Sequence, residues 1–379
     1  MESMRTLLML LVCGTAAMGQ FVIPQSRIPD SLRRFEPVAG EKELHCEVMP
    51  MRPALTFGFR FQAGYLVRVP MNQYFGPGHQ WAILVRITPE GASPTYLGSR
   101  MRLPDVPVTK AEMEVGGGYL LGEGRYRATW LLYDETGRVC RKEWSIDAKR
   151  GYHDRNVKVA MEPNTVTAFS RVVHDRRNTD DAPPFRLTIL MHAAPMSPRR
   201  QRLGARDSVM LLGTLSSLLD RLPARDVRLV VFNLEQQREI FRQEDFRLER
   251  MDQVSQAIDG LQLATLDYHV LQNRKGHVDL LAEMVNKELT ATSPPDVVVF
   301  LGPLARQVDH FPEQLLAKTQ ATSPHFIYLQ YRPPFLNMQA MLPDLIHSAV
   351  SKLKGKTVVM HTPAEFEKGI QQVERASAR

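Results

Sequence analysis

Cysteine is scarce: three residues in 379, too few for a fold held by a dense covalent framework. Charge of one sign is scarce too. The 48 Lys and Arg stand against 41 Asp and Glu, a surplus of +7 spread along the chain, which does not point to a nucleic-acid partner. Beyond the first residues no apolar run approaches the roughly 20 residues a membrane-spanning helix needs. Enzyme motifs are missing as well. There is no Gly-x-Ser-x-Gly elbow, and Gly213-Thr-Leu-Ser216 has the wrong spacing inside a helical pattern. There is no His-Glu-x-x-His, and no glycine fingerprint follows a predicted strand, so zincin and dinucleotide chemistry have nothing to stand on. Gly116-Gly117-Gly118 lacks the Gly-Lys-Ser/Thr continuation of a phosphate loop and is expected to be a flexible strand connection. What remains is 44% hydrophobic and 23% charged, ordinary for globular protein. At roughly 150 residues per domain, two or three domains are expected.

Residues 1–19 have the pattern of an export signal. Arg5 is the positive flank, Thr6 to Met18 the apolar segment, and Ala17-Met18-Gly19 the small residues before a cut ahead of Gln20. Cys13 falls inside that segment, but Val12 sits where a lipoprotein signal wants a small residue. The expected compartment is therefore periplasmic or extracellular. Once the leader is gone, Cys46 and Cys140 remain. Two arrangements fit them: a disulfide, or two buried thiols.

From residue 41 to 149 the apolar period is two. Leu55, Phe57, Phe59 and Phe61 alternate with wetter residues, and Tyr65 to Val69, Trp81 to Ile87 and Tyr96 to Leu103 repeat the habit. Arg125 to Tyr133 and Arg138 to Ile146 flank Asp134-Glu-Thr-Gly137, a type I turn with a bulge, hence a hairpin. Short strands at this spacing predict an all-β sandwich. The run Gly122-Glu-Gly-Arg-Tyr126, continuing to Trp130 and Tyr133, resembles immunoglobulin-like and fibronectin-like modules of bacterial secreted proteins. That resemblance implies a tyrosine corner at Tyr126.

Residues 150–184 are polar and charged, with Val157 to Met161 the one strand-like run, and Asp175 to Pro184 reads as an exposed hinge. From 185 to 376 the period changes. Leu187 to Met191, Val227 to Phe232, Val297 to Leu301, Phe326 to Leu329 and Thr357 to Met360 are continuous apolar runs, the mark of strands buried on both faces. Helical patterns lie between them at Asp207 to Leu222, Met251 to Leu261, Val278 to Leu289 and Leu342 to Leu353. Thr362-Pro-Ala-Glu365 is a capping box that launches a last helix. Strand and helix alternate, so a doubly wound α/β domain with a mostly parallel sheet is expected.

The order of these segments resembles the von Willebrand factor A family, in particular the A-related domains of bacterial secreted proteins. The resemblance rests on Pro195-Met196, a basic stretch, the helix ending Leu218-Leu219-Asp220-Arg221-Leu222, and Asp226 to Phe232. Metal-bearing members use Asp-x-Ser-x-Ser at the end of the first strand, a later Thr and an Asp after the fourth strand. Those places fall here on Met191, Ala193 and Pro195, near Gly276-His277, and on Leu301-Gly302-Pro303. None offers the hard oxygen set that Mg²⁺ wants, so the resemblance implies a degenerate site with no metal. No cofactor is implied either. Arg199, Arg200, Arg202 and Arg206 follow the first strand instead, and a guanidinium there would take a partner protein's carboxylate directly. A solvated basic turn is the plainer alternative. His192, His277 and His361 would suit Zn²⁺ if they met at the sheet's ligand edge; each also reads as a structural histidine. The expected function is an exported, non-enzymatic binding or scaffolding protein. An enzyme with an unrecognised site at the sheet edge and a structural part of an envelope assembly are the alternatives.

Overall fold

The computed structural model describes residues 20–24, 26, 35, 40–169, 185–196, 203–263, 270, 272–305, 310–317, 324–332 and 344–378, without the side chains of 205 and 206. The expected leader, the hinge from Asp175 to Pro184, and Arg199, Arg200 and Arg202 lie outside them. The chain divides into two units, one of Met1–Gly151 with Lys158–Ser170, the other of Tyr152–Val157 with Arg171–Arg379.

In the first unit the strands are β1 (Phe21–Val22), β2 (Lys42–Glu43), β3 (Glu47–Leu55), β4 (Phe61–Pro70), β5 (Gln80–Pro89), β6 (Thr95–Arg102), β7 (Glu112–Leu121), β8 (Gly124–Asp134), β9 (Arg138–Ala148) and β10 (Val166–Ala168). They make a six-stranded sheet, β1-β6-β5-β8-β9-β2, and a four-stranded one, β10-β7-β4-β3. Only the short β2–β9 pair is parallel. The alternation does what period two requires. Trp81, Ile83, Val85 and Ile87 of β5, Tyr126, Ala128, Trp130 and Leu132 of β8, and Phe61, Ala63, Tyr65, Val67 and Val69 of β4 share one buried cluster. Each large side chain so buried contributes about 1.5–3 kcal/mol. Tyr126 Oη donates to the carbonyl of Gly122 at 2.9 Å, the bond a tyrosine corner makes. Cys46, just before β3, is joined to Cys140 of β9 with Cα atoms 6.2 Å apart, so the disulfide ties one sheet to the other.

Three expectations fail here. Leu55 to Gln62 is not one strand but the end of β3, a turn and the start of β4. Phe59 N donates to the Thr56 carbonyl at 2.9 Å and Thr56 N to the Arg60 carbonyl at 3.0 Å, closing the turn with Phe59 at φ 52°. Phe57 and Phe59 are buried from within that turn, so the alternation was real and the strand was not. Gly116-Gly117-Gly118 is no connection. It lies mid-β7, paired with Gly64 to Leu66, and a Cβ on Gly117 would run into the Tyr65 ring. The stretch 150–184 is more than a linker, because Val166–Ala168 completes the smaller sheet against β7, while Val157 to Met161 forms no strand.

The β8–β9 turn forms as expected and carries a polar network. Asp134 Oδ1 accepts from Thr136 N and Arg138 N, both at 3.0 Å, and Oδ2 from Arg138 Nε at 2.7 Å. Burial pushes the Asp134 carboxyl up, but these donors outweigh it and hold the group below the usual range. Beside it, His79 meets acceptors on both sides: Glu135 Oε1 at 2.7 Å from Nδ1 and the Phe75 carbonyl at 3.0 Å from Nε2. Only the imidazolium can donate twice. The Glu135 carboxylate, then the Phe75 carbonyl, raise the His79 pKa, with the Arg138 charge opposing. A raised folded pKa contributes stability that is complete below the unfolded value of about 6.5 and is lost as pH rises through the folded one. The thermal unfolding difference between the wild type and His79→Gln is therefore expected to be widest below about pH 6.5 and to close as pH rises through the raised folded value. A difference flat across that range would show that the ring is not charged.

In the second unit the strands are β11 (Phe185–His192), β12 (Ala224–Asn233), β13 (Arg238–Gln243), β14 (Val297–Pro303), β15 (His325–Tyr331) and β16 (Lys356–Met360). The helices are α1 (Ala205–Arg221), α2 (Met251–Asp259), α3 (Gly276–Leu289), α4 (Leu345–Lys352) and α5 (Pro363–Ser377). The sheet runs β13-β12-β11-β14-β15-β16, parallel except for the β12–β13 hairpin. Helices cover both faces. α3 and α4 pack with Leu190, Val230, Phe300 and Tyr328, while α5 brings Gly369 against Leu329 on the opposite face. Within α1 the buried apolar stripe is Leu211, Leu212, Leu215 and Leu218, with Leu222 just beyond, while Val209 and Leu219 are only half-buried. α5 starts at the predicted capping box: Thr362 Oγ1 accepts from Glu365 N at 3.4 Å, and Glu365 Oε2 from Thr362 N at 2.9 Å.

Candidate functional site

In an open, mostly parallel sheet, ligands bind beyond the carboxyl ends of the strands, where successive connections leave on opposite faces. In the second unit that place is the seam between β11 and β14, because α1 follows β11 on one face and α3 precedes β14 on the other. His192 closes β11, and its ring stacks on Phe232 of the neighbouring strand with centroids 5.3 Å apart. Across the seam stands Gly302. A Cβ there would lie 2.7 Å from the His192 carbonyl oxygen, so only glycine lets the two strand ends approach this closely.

The expected metal-motif positions are buried in this rim. Met191 and Ala193 are fully inside and Pro195 is buried with them. Leu301 is also buried, and it belongs to β14 rather than to the loop it was assigned to, since the strand runs on to Pro303. His277 is buried in the first turn of α3. His361 is exposed beyond β16, its backbone N–H donating to Glu365 Oε2 at 2.6 Å. Among the described residues no group of three or more His, Cys, Asp or Glu is placed to hold a metal ion. Of the four arginines, Arg206 falls on the first turn of α1 and the other three are outside the described residues.

Three oxygen-bearing side chains at the rim escaped the motif search, and all three hold backbone. Asp207 Oδ1 accepts from Met196 N at 3.2 Å and Oδ2 from Gly204 N at 2.8 Å, which ties the loop after β11 to the start of α1. Asn233 donates from Nδ2 to the Ala193 carbonyl at 2.7 Å and accepts from Gln236 N at 2.7 Å. Asp344, the N-cap of α4, accepts from His347 N at 3.0 Å, from Ala305 N at 3.3 Å beyond β14, and from Tyr328 and Gln330 of β15. Burial raises the Asp344 carboxyl above its ordinary value even against those donors. Tyr328 Oη also reaches the Pro303 carbonyl at 2.8 Å, and burial pushes that phenol well above its usual range. Local signals for these residues existed. Asn233 directly follows the apolar run Val227 to Phe232, and Asp344 stands near the start of the expected helix Leu342 to Leu353, where a carboxylate suits the cap.

A cleft of about 150 Å³ opens elsewhere in the unit, lined by Arg186, Thr188, Asp226, Arg228 and Glu244 among others. It lies off the seam and is smaller than the roughly 300 Å³ at which small-molecule sites begin.

No family model matches this chain, and no curated protein does. Among solved structures it has a likeness to a variant superoxide reductase (neelaredoxin) from Archaeoglobus fulgidus, at 16% identity and a TM-score of 0.21, over 30% of this chain and 98% of that one. A protein described as ApaA from Bordetella pertussis is similar at 17% identity and a TM-score of 0.20, over 29% of this chain and 99% of that one. β-Glucuronidase 2 from Bacteroides uniformis is similar at 9% identity and a TM-score of 0.18, over 87% of this chain and 38% of that one. Likenesses this faint carry no argument about fold or activity. No helix among the described residues is long and apolar enough to cross a membrane.

Proposed function

We propose that this is an exported binding or scaffolding protein: an immunoglobulin-like sandwich followed by a von Willebrand A-type domain that recognises a partner protein without a metal. The observation that carries the reading is what the rim's oxygens do. Among the described residues, Asp207, Asn233 and Asp344 each hold backbone, and Met191, Ala193, Gly302 and Leu301 beside the seam between β11 and β14 are buried and carry no side-chain oxygen. The A-type assignment is supported by strand β11, the turn at Pro195-Met196, α1 ending beside Leu222, and β12 running through Asp226 to Phe232. The immunoglobulin-like assignment is supported by two sheets around one core and by the Tyr126–Gly122 bond. Export is supported by the pattern of residues 1–19 and by the cystine joining Cys46 to Cys140. Recognition then belongs to the basic stretch Arg199, Arg200, Arg202 and Arg206, whose guanidinium groups pair with carboxylates on the partner.

The test is capture from a native envelope extract by the full chain, with and without EDTA, beside Arg199→Ala/Arg200→Ala. The expected result is one retained protein, unaffected by chelator and reduced at least tenfold by the double substitution, the loss of about 1.4 kcal/mol of binding. Retention that requires Mg²⁺ overturns the metal-free reading. Retention that ignores both arginines moves the site elsewhere.

A further inference from the structure

Gln20 turns its side chain into the first unit. The residue is only 7% exposed, its Nε2 donates to Tyr65 Oη, and its Oε1 is buried with no hydrogen-bond partner. One residue later the chain is fixed. β1 pairs with β6 through Phe21 opposite Gly98 and Val22 opposite Leu97, and Ile23 N donates to the Tyr96 carbonyl at 2.8 Å. Ile23 fills the space a side chain on Gly98 would need.

We infer that Gln20 is the amino-terminal residue of the working protein and that it is converted there to pyroglutamate, a modification that suits this buried position. The inference rests on the export reading, which places the cut ahead of Gln20. In the reaction the free α-amine attacks Cδ of the side-chain amide. The new N–C bond closes a five-membered lactam, the Cδ–Nε2 bond breaks, and ammonia leaves with the proton the amine gives up. No oxidant or second substrate is required.

Two features of the site favour the lactam. A primary amide carries two N–H donors and one carbonyl. Whichever way it is turned toward Tyr65, its other end stays buried without a partner, an arrangement that costs about 1–3 kcal/mol. With the amide turned over so that its carbonyl accepts from Tyr65 Oη, the surplus end is the NH₂, and loss of ammonia removes it. The second feature is charge. A free terminus would place an ammonium at the head of a docked edge strand, beside a buried Tyr65 that packs against Trp130. The lactam is neutral and has one N–H and one carbonyl.

The test is to produce the chain with its own leader in an exporting bacterial host and to measure the intact mass and terminal sequence of the exported protein. The expected mass is that of residues 20–379 less one ammonia, with the end blocked to sequential degradation until pyroglutamyl aminopeptidase acts on the unfolded chain. A chain cut at the same bond that keeps its ammonia overturns the inference and leaves export standing. A full-length mass, or a different first residue, removes the export boundary and the inference with it. Gln20→Ala, which leaves a charged terminus, is expected to unfold at lower temperature than the blocked chain. Equal unfolding temperatures would refute the argument from fit.

Discussion

Breaking the Cys46–Cys140 bond lowers the unfolding free energy of the first unit by about 4 kcal/mol. The bridge closes a loop with a sequence separation of 94, near the upper end of what a single cross-link constrains in an unfolded chain. It is also placed where folding depends on it. One end stands at the start of β3 in the four-stranded sheet and the other in β9 of the six-stranded sheet, so it fixes the pairing of the two layers around Trp81, Trp130 and Tyr65. Cys140 is itself buried in that core, so Cys46→Ala/Cys140→Ala is a cleaner substitution than serine, which would bury a hydroxyl. The measurement is denaturant unfolding with and without reductant. The second unit contains no cysteine, so its transition is an internal reference that should not move. A first transition that also stays in place would show that the two thiols are unpaired in the native protein.

Where the sequence was legible, one physical cause explains it. Strands buried on both faces need unbroken apolar runs, and Leu187 to Met191, Val227 to Phe232 and Val297 to Leu301 became β11, β12 and β14 within three residues at each end. β13 was missed for the converse reason. As an edge strand it reads Arg238-Glu-Ile-Phe-Arg-Gln243, four of six residues polar and none buried, and nothing in its period separates it from a loop. Phe57 and Phe59 misled because a tight turn can bury alternate residues as a strand does. Gly116 to Gly118 misled because glycine marks flexibility in a sequence but close packing in a sheet, here beneath the Tyr65 ring. At the rim, the places where hard ligands are missing could be read directly. What occupies the rim could not: Asp344 reaches Ala305 across 39 residues of sequence, and no spacing rule announces that contact.

Replacing Arg228 alone is expected to cost about 3 kcal/mol, more than replacing its partner and more than replacing both. Glu288, near the end of α3, has a side chain only 1% exposed. Its Oε2 accepts from Arg228 Nη1 at 2.6 Å and from Thr188 Oγ1 at 2.8 Å, while Oε1 is buried without a hydrogen-bond partner. Arg228→Met leaves that carboxylate with one hydroxyl donor and removes its hydrogen-bonded cation. The reverse change is milder. In Glu288→Met the guanidinium of Arg228, 24% exposed, keeps the Glu244 carboxylate at 2.6 Å and reaches water. Its expected cost is about 1 kcal/mol. Burial lowers the pKa of Arg228, yet Glu244 and Glu288 together hold it above the ordinary value, so the arginine stays charged in either context. In the double variant two thioether side chains fill the space, and a buried ion pair replaced by apolar groups of similar volume is close to neutral. The four chains form a double-mutant cycle in denaturant unfolding, with an expected coupling of about 4 kcal/mol. Additive costs would mean that Arg228 and Glu288 do not depend on one another. The strand–helix contact between β12 and α3 would then rest on apolar packing, Val230 and Phe232 in one cluster with Val278, Leu281 and Val285.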